Sequence, residues 1–113
     1  MRTIRDYIHA ARILLQDTVD SPYRYSDDDF KLALNLAFDE AYRIRPDFFF
    51  QITVPNFVEG DDTTEVPVPR GYQSAFLYYL CGHVQLRDQE DTQDNRASVF
   101  LNKFTAQLLT TAS

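Results

Sequence analysis

The sequence predicts a mainly α-helical fold: a small bundle of three to four helices, with a β-hairpin or extended arm inserted between helices two and three. Three observations lead to this prediction. Apolar residues recur at three- and four-residue spacing in separate segments, which indicates helices with one buried face. The segment at about residues 48–68 loses this period and partly alternates instead. A chain of 113 residues also has the length of one domain, residues 1–113.

The first helix is predicted over residues 3–16. Thr3 can cap its N-terminus, and Asp6 reinforces the cap and favours the positive end of the helix. A helix of this length is marginal alone in water, so its apolar stripe should pack against other helices. The stripe consists of Ile4, Tyr7, Ile8, Ala11, Leu14 and Leu15.

The second helix is predicted from about residue 27 to residue 45, where Pro46 ends it. Its start carries the strongest local signal in the chain, YSDDDF. Ser26 is the expected N-cap and Asp29 the acid of a capping box, while Tyr25 and Phe30 fit a hydrophobic staple. The three consecutive aspartates therefore have a structural explanation, which we prefer to a metal or acid–base site because consecutive positions fan around a helix.

The segment 48–68 is predicted to form a short hairpin or arm. FFFQITV and TTEVPVP are rich in β-branched and aromatic residues, and PNFVEGDD between them contains turn residues. Pro55, Pro67 and Pro69 cannot donate ladder hydrogen bonds, so they restrict any pairing to a short ribbon. A hairpin is marginal by itself, so it needs a surface to pack against.

Two further helices are predicted at about residues 70–88 and 93–109, followed by a tail at about 109–113. Gly82 weakens the first of these by about 1 kcal/mol relative to alanine, unless it permits close approach of another helix. Cys81 and His83 lie on this helix two positions apart and point in different directions. We therefore expect a buried, unreactive thiol and a core or interface histidine.

Composition and motifs argue against several classes of function. The net charge of −6 provides no basic stripe for nucleic acid. No apolar run approaches the length of a membrane span, and no secretory signal is recognisable. Phosphate-binding, hydrolase and calcium-loop patterns are missing. We expect no enzyme activity, no cofactor and no metal site.

What remains is a surplus of aromatic residues, and two interpretations of it stay open. Contiguous apolar surface of this kind often marks an interface. Alternatively, the hairpin folds back and its aromatics fill the core of the monomer.

Two stretches carry a resemblance to a known family. RYSDDDF opens the second helix, and D-x-x-D-N-R-A-x-x-F-x-x-x-F on residues 91–104 leads into the last helix. In this order, with the β excursion between them, they resemble the head–tail connector (adaptor) proteins of tailed bacteriophages, over nearly the whole chain.

The resemblance implies a structural protein of the virion that is assembled in the host cytoplasm. Such proteins form a homo-oligomeric ring, usually of twelve subunits, which joins the portal protein to the next neck or tail protein and extends the DNA channel. DNA would pass through without specific binding. Phe57 and Val58, near the predicted turn, are expected to be free for a neighbour. The expected interface residues are Phe50, Ile52, Val54, Phe57, Val58, Val66, Val68, Leu108 and Leu109.

Alternatives are another phage tail-completion or stopper protein and a small helical protein-binding regulator. The first class tends toward more β structure than this sequence predicts. The second would normally show a recognition element or a disordered arm.

Overall fold

The computed structural model describes residues 1–17, 25–49, 52–87 and 96–110. Within these ranges no strand forms, so the prediction of a mainly helical fold is confirmed. None of the helices in the described ranges is long and apolar enough to cross a membrane. The helices are α1 (Ile4–Leu15), α2 (Asp27–Ile44), the single-turn α3 (Pro46–Phe49), α4 (Gln73–Arg87) and α5 (Arg96–Thr110).

The starts of α1 and α2 are stabilised by the predicted side chains. Thr3 accepts a hydrogen bond from the Asp6 amide at 3.3 Å, and Asp6 accepts one from the Thr3 amide at 3.1 Å. Ser26 and Asp29 form the same reciprocal pair at 3.2 and 3.3 Å. Both helices therefore begin with a capping box, which satisfies amides that have no partner within the helix.

Both ends of α2 show the features that the sequence predicts. The Tyr25 and Phe30 rings meet edge to face with centroids 6.2 Å apart, which confirms the hydrophobic staple. The helix ends at Ile44, before Pro46, as predicted.

Helix α4 packs against both α2 and α5. Its Phe76 ring lies 4.7 Å from Phe38 of α2 and 5.8 Å from Phe104 of α5, between centroids. Gly82 permits the close approach of α5, because a Cβ atom there would lie 2.8 Å from Cγ of Leu101 and 3.1 Å from the carbonyl oxygen of Ala97. Cys81 is buried, as expected.

Residues 52–69, here called the insertion, connect α3 to the turn before α4. The predicted β-hairpin is absent from the described part of its segment, because residues 46–49 are helical and residues 52–68 form no paired strands. The one bridge among the described residues joins Thr3 to Glu65. The insertion contains the 3-10 turn Phe57–Glu59, and a second such turn, Arg70–Tyr72, follows it.

The backbone of the insertion forms local turns and also bonds to the start of α1. The amides of Ile4 and Arg5 donate to the carbonyls of Thr64 at 2.9 Å and Asp62 at 3.2 Å. These are first-turn amides, which have no acceptor inside the helix. The insertion thereby supplies acceptors that α1 needs, and it lies along the helical body.

This path overturns one expectation about the insertion. Phe57 was expected at an exposed hairpin tip, but its side chain is fully buried and stacks on Phe38 with centroids 5.5 Å apart. That expectation is wrong, since Phe57 belongs to the core of the chain. Its neighbour Val58 is exposed.

A buried arginine ties the end of α1 to the start of α2. The Arg12 guanidinium donates to Asp17 at 2.8 Å, to Asp27 at 2.6 Å and to the Tyr25 carbonyl at 2.8 Å. It also lies over the Phe30 ring, 5.1 Å from the centroid. Sequence analysis did not single out Arg12, although its spacing from Ile8 places it beside the buried stripe.

Candidate protein-interaction site

The predicted interface residues fall into distinct environments. Four of them are buried within the chain: Phe57, Val66, Val68 and Leu108. Ile52 is half-buried, and Val54, Val58 and Leu109 are exposed. Phe50 lies outside the described residues. Only the exposed and half-buried members can contact another molecule without a rearrangement of the core.

Ile52 and Val54 belong to an open cavity between α2 and the insertion, here called the α2 groove. Its volume is about 460 Å³. The lining residues are Asn35, Phe38, Asp39, Tyr42, Phe49, Ile52, Val54, Pro55 and Asn56.

An amide pair holds the insertion against α2 at one end of this groove. Asn35 accepts from the Phe57 amide at 2.9 Å and donates to the Asn56 side chain at 3.0 Å. Asn56 in turn accepts from the Val58 amide at 3.1 Å. The sequence predictions did not include Asn35. The signal for it was a polar residue between Leu34 and Leu36, on a helix whose buried residues are all apolar.

The α2 groove combines apolar and polar groups. Phe38 and Phe49 are buried beneath it, with rings edge to face and centroids 6.5 Å apart. Tyr42 and Val54 are 53% and 38% exposed, and Asp39 is exposed beside them. Exposed aromatic and aliphatic surface with a polar edge is typical of a protein-binding site.

A second exposed surface is the outer side of α5, here called the α5 face. Val99 and Leu109 are 50% and 60% exposed. Lys103 and Ala106 lie between them at helical spacing and are exposed as well. The Lys103 ammonium sits over the Tyr78 ring, 5.0 Å from the centroid.

The C-terminal end of α5 is anchored to the end of α2. Arg45 donates to the Leu108 carbonyl at 2.8 Å and pairs with Asp47 at 3.2 Å. A cation at this position stabilises the last carbonyls of a helix, which have no partner within it. Helix α5 therefore extends into the predicted tail as far as Thr110, with Leu108 turned inward and Leu109 outward.

A smaller cavity of about 210 Å³ lies between α4, α5 and Glu40 of α2. The half-buried His83 ring stacks on Tyr79 with centroids 5.8 Å apart. Burial raises the pKa of Tyr79, and the nearby carboxylates of Glu40 and Asp39 raise it further. Tyr79 therefore stays a neutral phenol at neutral pH and is not available as a base.

Among the described residues, no three or more histidine, cysteine or acidic side chains are arranged to hold a metal ion. Comparison of the chain with protein-family models, with curated proteins and with solved structures gives no match in any of the three. Function is therefore inferred from the residues, from the two exposed surfaces and from the resemblance in the sequence.

Proposed function

We propose that this protein is a head-to-tail adaptor of a tailed bacteriophage: a structural virion protein that forms a ring in the neck, joins the portal to the tail and extends the DNA channel. The observation that carries the proposal is the order of elements. A capped α1, an α2 that opens on YSDDDF and two closing helices keep the order of the resemblance, with the insertion at the place of the expected β excursion.

The two exposed surfaces support assembly into a ring. A ring with one kind of subunit contact is heterologous, so each subunit must offer two different surfaces. The α2 groove and the α5 face have no residue in common and lie on different helices. A chain of this design can bind one neighbour on each side.

The charge of the chain supports a role around a DNA channel. A net charge of −6 repels the phosphate backbone, so duplex DNA would slide past without sticking. Specific DNA binding needs basic groups and is not part of the proposal.

A small protein-binding regulator is the second candidate. It would use the α2 groove for a different protein, because exposed Tyr42 and Val54 can contact any apolar partner segment. A tail-completion or stopper protein fits less well, since the described residues contain no strand.

The test is assembly on portals. Purified protein, mixed with assembled portal rings of its own phage, should co-sediment with them and appear as an added ring by electron microscopy. The matched control is the same protein without portals, for which we expect mainly monomer. Failure to bind portals under any solution condition would reject the adaptor proposal, and a stable one-to-one complex with another protein would favour the regulator.

A further inference from the structure

We propose that the α2 groove of each copy binds the α5 face of the next copy, with Asp39 paired to Lys103 across the contact. The occupant of the groove is thus a second copy of this chain. This inference rests on the proposed ring, and it names the two surfaces that close it.

Both surfaces expose apolar side chains that can pack against each other. The groove exposes Tyr42 and Val54 above the buried rings of Phe38 and Phe49. On the α5 face the exposed apolar ends, Val99 and Leu109, are ten positions apart, about 15 Å along a helix. Packing one surface on the other removes exposed apolar area from water on both copies, which favours association.

Charge complementarity selects this pairing. Asp39 is exposed at the groove, and none of the hydrogen bonds and ion pairs found in the described residues uses it. Lys103 is the one cation among the described side chains of α5 and lies between Val99 and Leu109. Because each copy carries a net charge of −6, copies repel one another, and an opposite-charge pair at the contact guides them into one orientation.

The position of Lys103 lowers the entropic cost of its pairing with Asp39. Its ammonium group already rests over the Tyr78 ring at the edge between α4 and α5. A side chain that is partly ordered before binding loses less conformational freedom when it binds.

The placement of the surfaces gives a heterologous contact. The groove is formed by α2 and the face by α5, and both helices pack on Phe76 of α4. One copy can therefore donate its α5 face to the next copy and accept the α5 face of the previous one. Such a contact closes into a ring when its rotation permits.

The test is a charge exchange. Asp39→Lys places two cations at every contact, and Lys103→Glu places two carboxylates there. Each variant should need a roughly tenfold higher concentration for half-maximal assembly on portals. Both the double variant and an equimolar mixture of the two single variants restore opposite charges at the contacts, so both should regain wild-type assembly.

A matched control uses the exposed pair of Arg2 and Glu65, whose side chains are 81% and 71% exposed and belong to neither surface. The exchange of Arg2→Glu with Glu65→Lys should leave assembly unchanged. Thermal melting of every variant checks that the fold is retained.

Sedimentation of the single variants and their mixture at high concentration, without portals, tests the contact independently of the adaptor proposal. Stronger association of the mixture than of either variant supports the contact. If the wild type ignores portals while the mixture associates, the adaptor proposal fails and the contact stands. If the wild type assembles on portals but the charge variants do so equally well, or the mixture restores nothing, the contact is overturned.

Discussion

At the scale of single residues, Arg12 is the most consequential side chain of the fold. Its guanidinium is 7% exposed and pairs with Asp17, whose side chain is 8% exposed, and with Asp27. Two charges removed from water are tolerated only when they are paired and hydrogen-bonded. Arg12 thus links the end of α1 to the first residues of α2, although no motif marks it as special.

Replacement of this arginine should be costly. Arg12→Ala removes the guanidinium from a carboxylate that stays buried, and losing one partner of a buried pair costs about 3–5 kcal/mol. We expect the lower end of that range, because Asp27 is 56% exposed and can be solvated. Urea unfolding followed by circular dichroism measures the change.

Arg43→Ala is the control for that experiment. Arg43 pairs with Glu40 on the surface of α2, and its side chain is 69% exposed. Surface pairs contribute little, so this variant should unfold with the wild type. Equal unfolding midpoints for the two variants would show that the buried pair does not stabilise the fold.

At the scale of elements, the insertion is the part of the chain whose behaviour differs most from the sequence prediction. Its residues have β propensity, yet its backbone caps α1 and its Phe57 ring fills the space over Phe38. Tertiary contacts override local strand preference here, because the prolines prevent a regular ladder and the first turn of α1 offers unpaired amides. Gly60 fits this arrangement, since a Cβ atom there would lie 2.8 Å from Oγ1 of Thr64.

Substitutions at two adjacent residues distinguish an insertion that packs in the core from an arm that projects into solvent. Phe57→Asp places a charge at a fully buried site and should destabilise the fold by at least about 4 kcal/mol. Val58→Asp changes a side chain that is 45% exposed and should leave the melting temperature nearly unchanged. A Phe57→Asp variant that melts with the wild type would mean that the insertion is not anchored in the core.

At the scale of the whole molecule, two carboxylates make the stability of the fold depend on pH, one at the start of α1 and one in the insertion. Hydrogen bonds from the Arg2 and Thr3 amides hold the pKa of Asp6 below its usual value. Hydrogen bonds from the Thr63 side chain and amide do the same to the pKa of Asp61. Both groups therefore link the folding stability to pH.

The sign of the pH dependence follows from these directions. A carboxylate whose pKa is lower in the folded state stabilises the protein above its unfolded pKa of about 3.9, and the effect is lost as the pH falls through the folded value. The melting temperature should therefore fall as the pH decreases below about 4. In an Asp6→Asn variant the fall should be shallower, as measured by melting between pH 2 and pH 7. An unchanged slope would contradict the role of Asp6.

Helix boundaries were predictable because they depend on residues within four positions of one another. The capping boxes of Thr3 with Asp6 and of Ser26 with Asp29, and the stop at Pro46, are all local. The capping boxes depend on hydrogen bonds to backbone amides a few positions away, and the stop depends on the backbone dihedral angles that a proline imposes on the residue before it. The helical fold class follows from the same short-range signals.

The exposed surfaces depend on contacts between distant residues and needed the tertiary structure. Asn35 meets Phe57 across 22 positions, and Arg45 meets Leu108 across 63. The spacing of apolar residues indicates which face of a helix is buried. It does not indicate which other segment packs against that face. The sequence alone therefore determined the helices, their caps and an aromatic surplus. Only the packing decided that Phe57 is core while Tyr42, Val54 and Leu109 remain at the surface, because burial is a property of the whole fold.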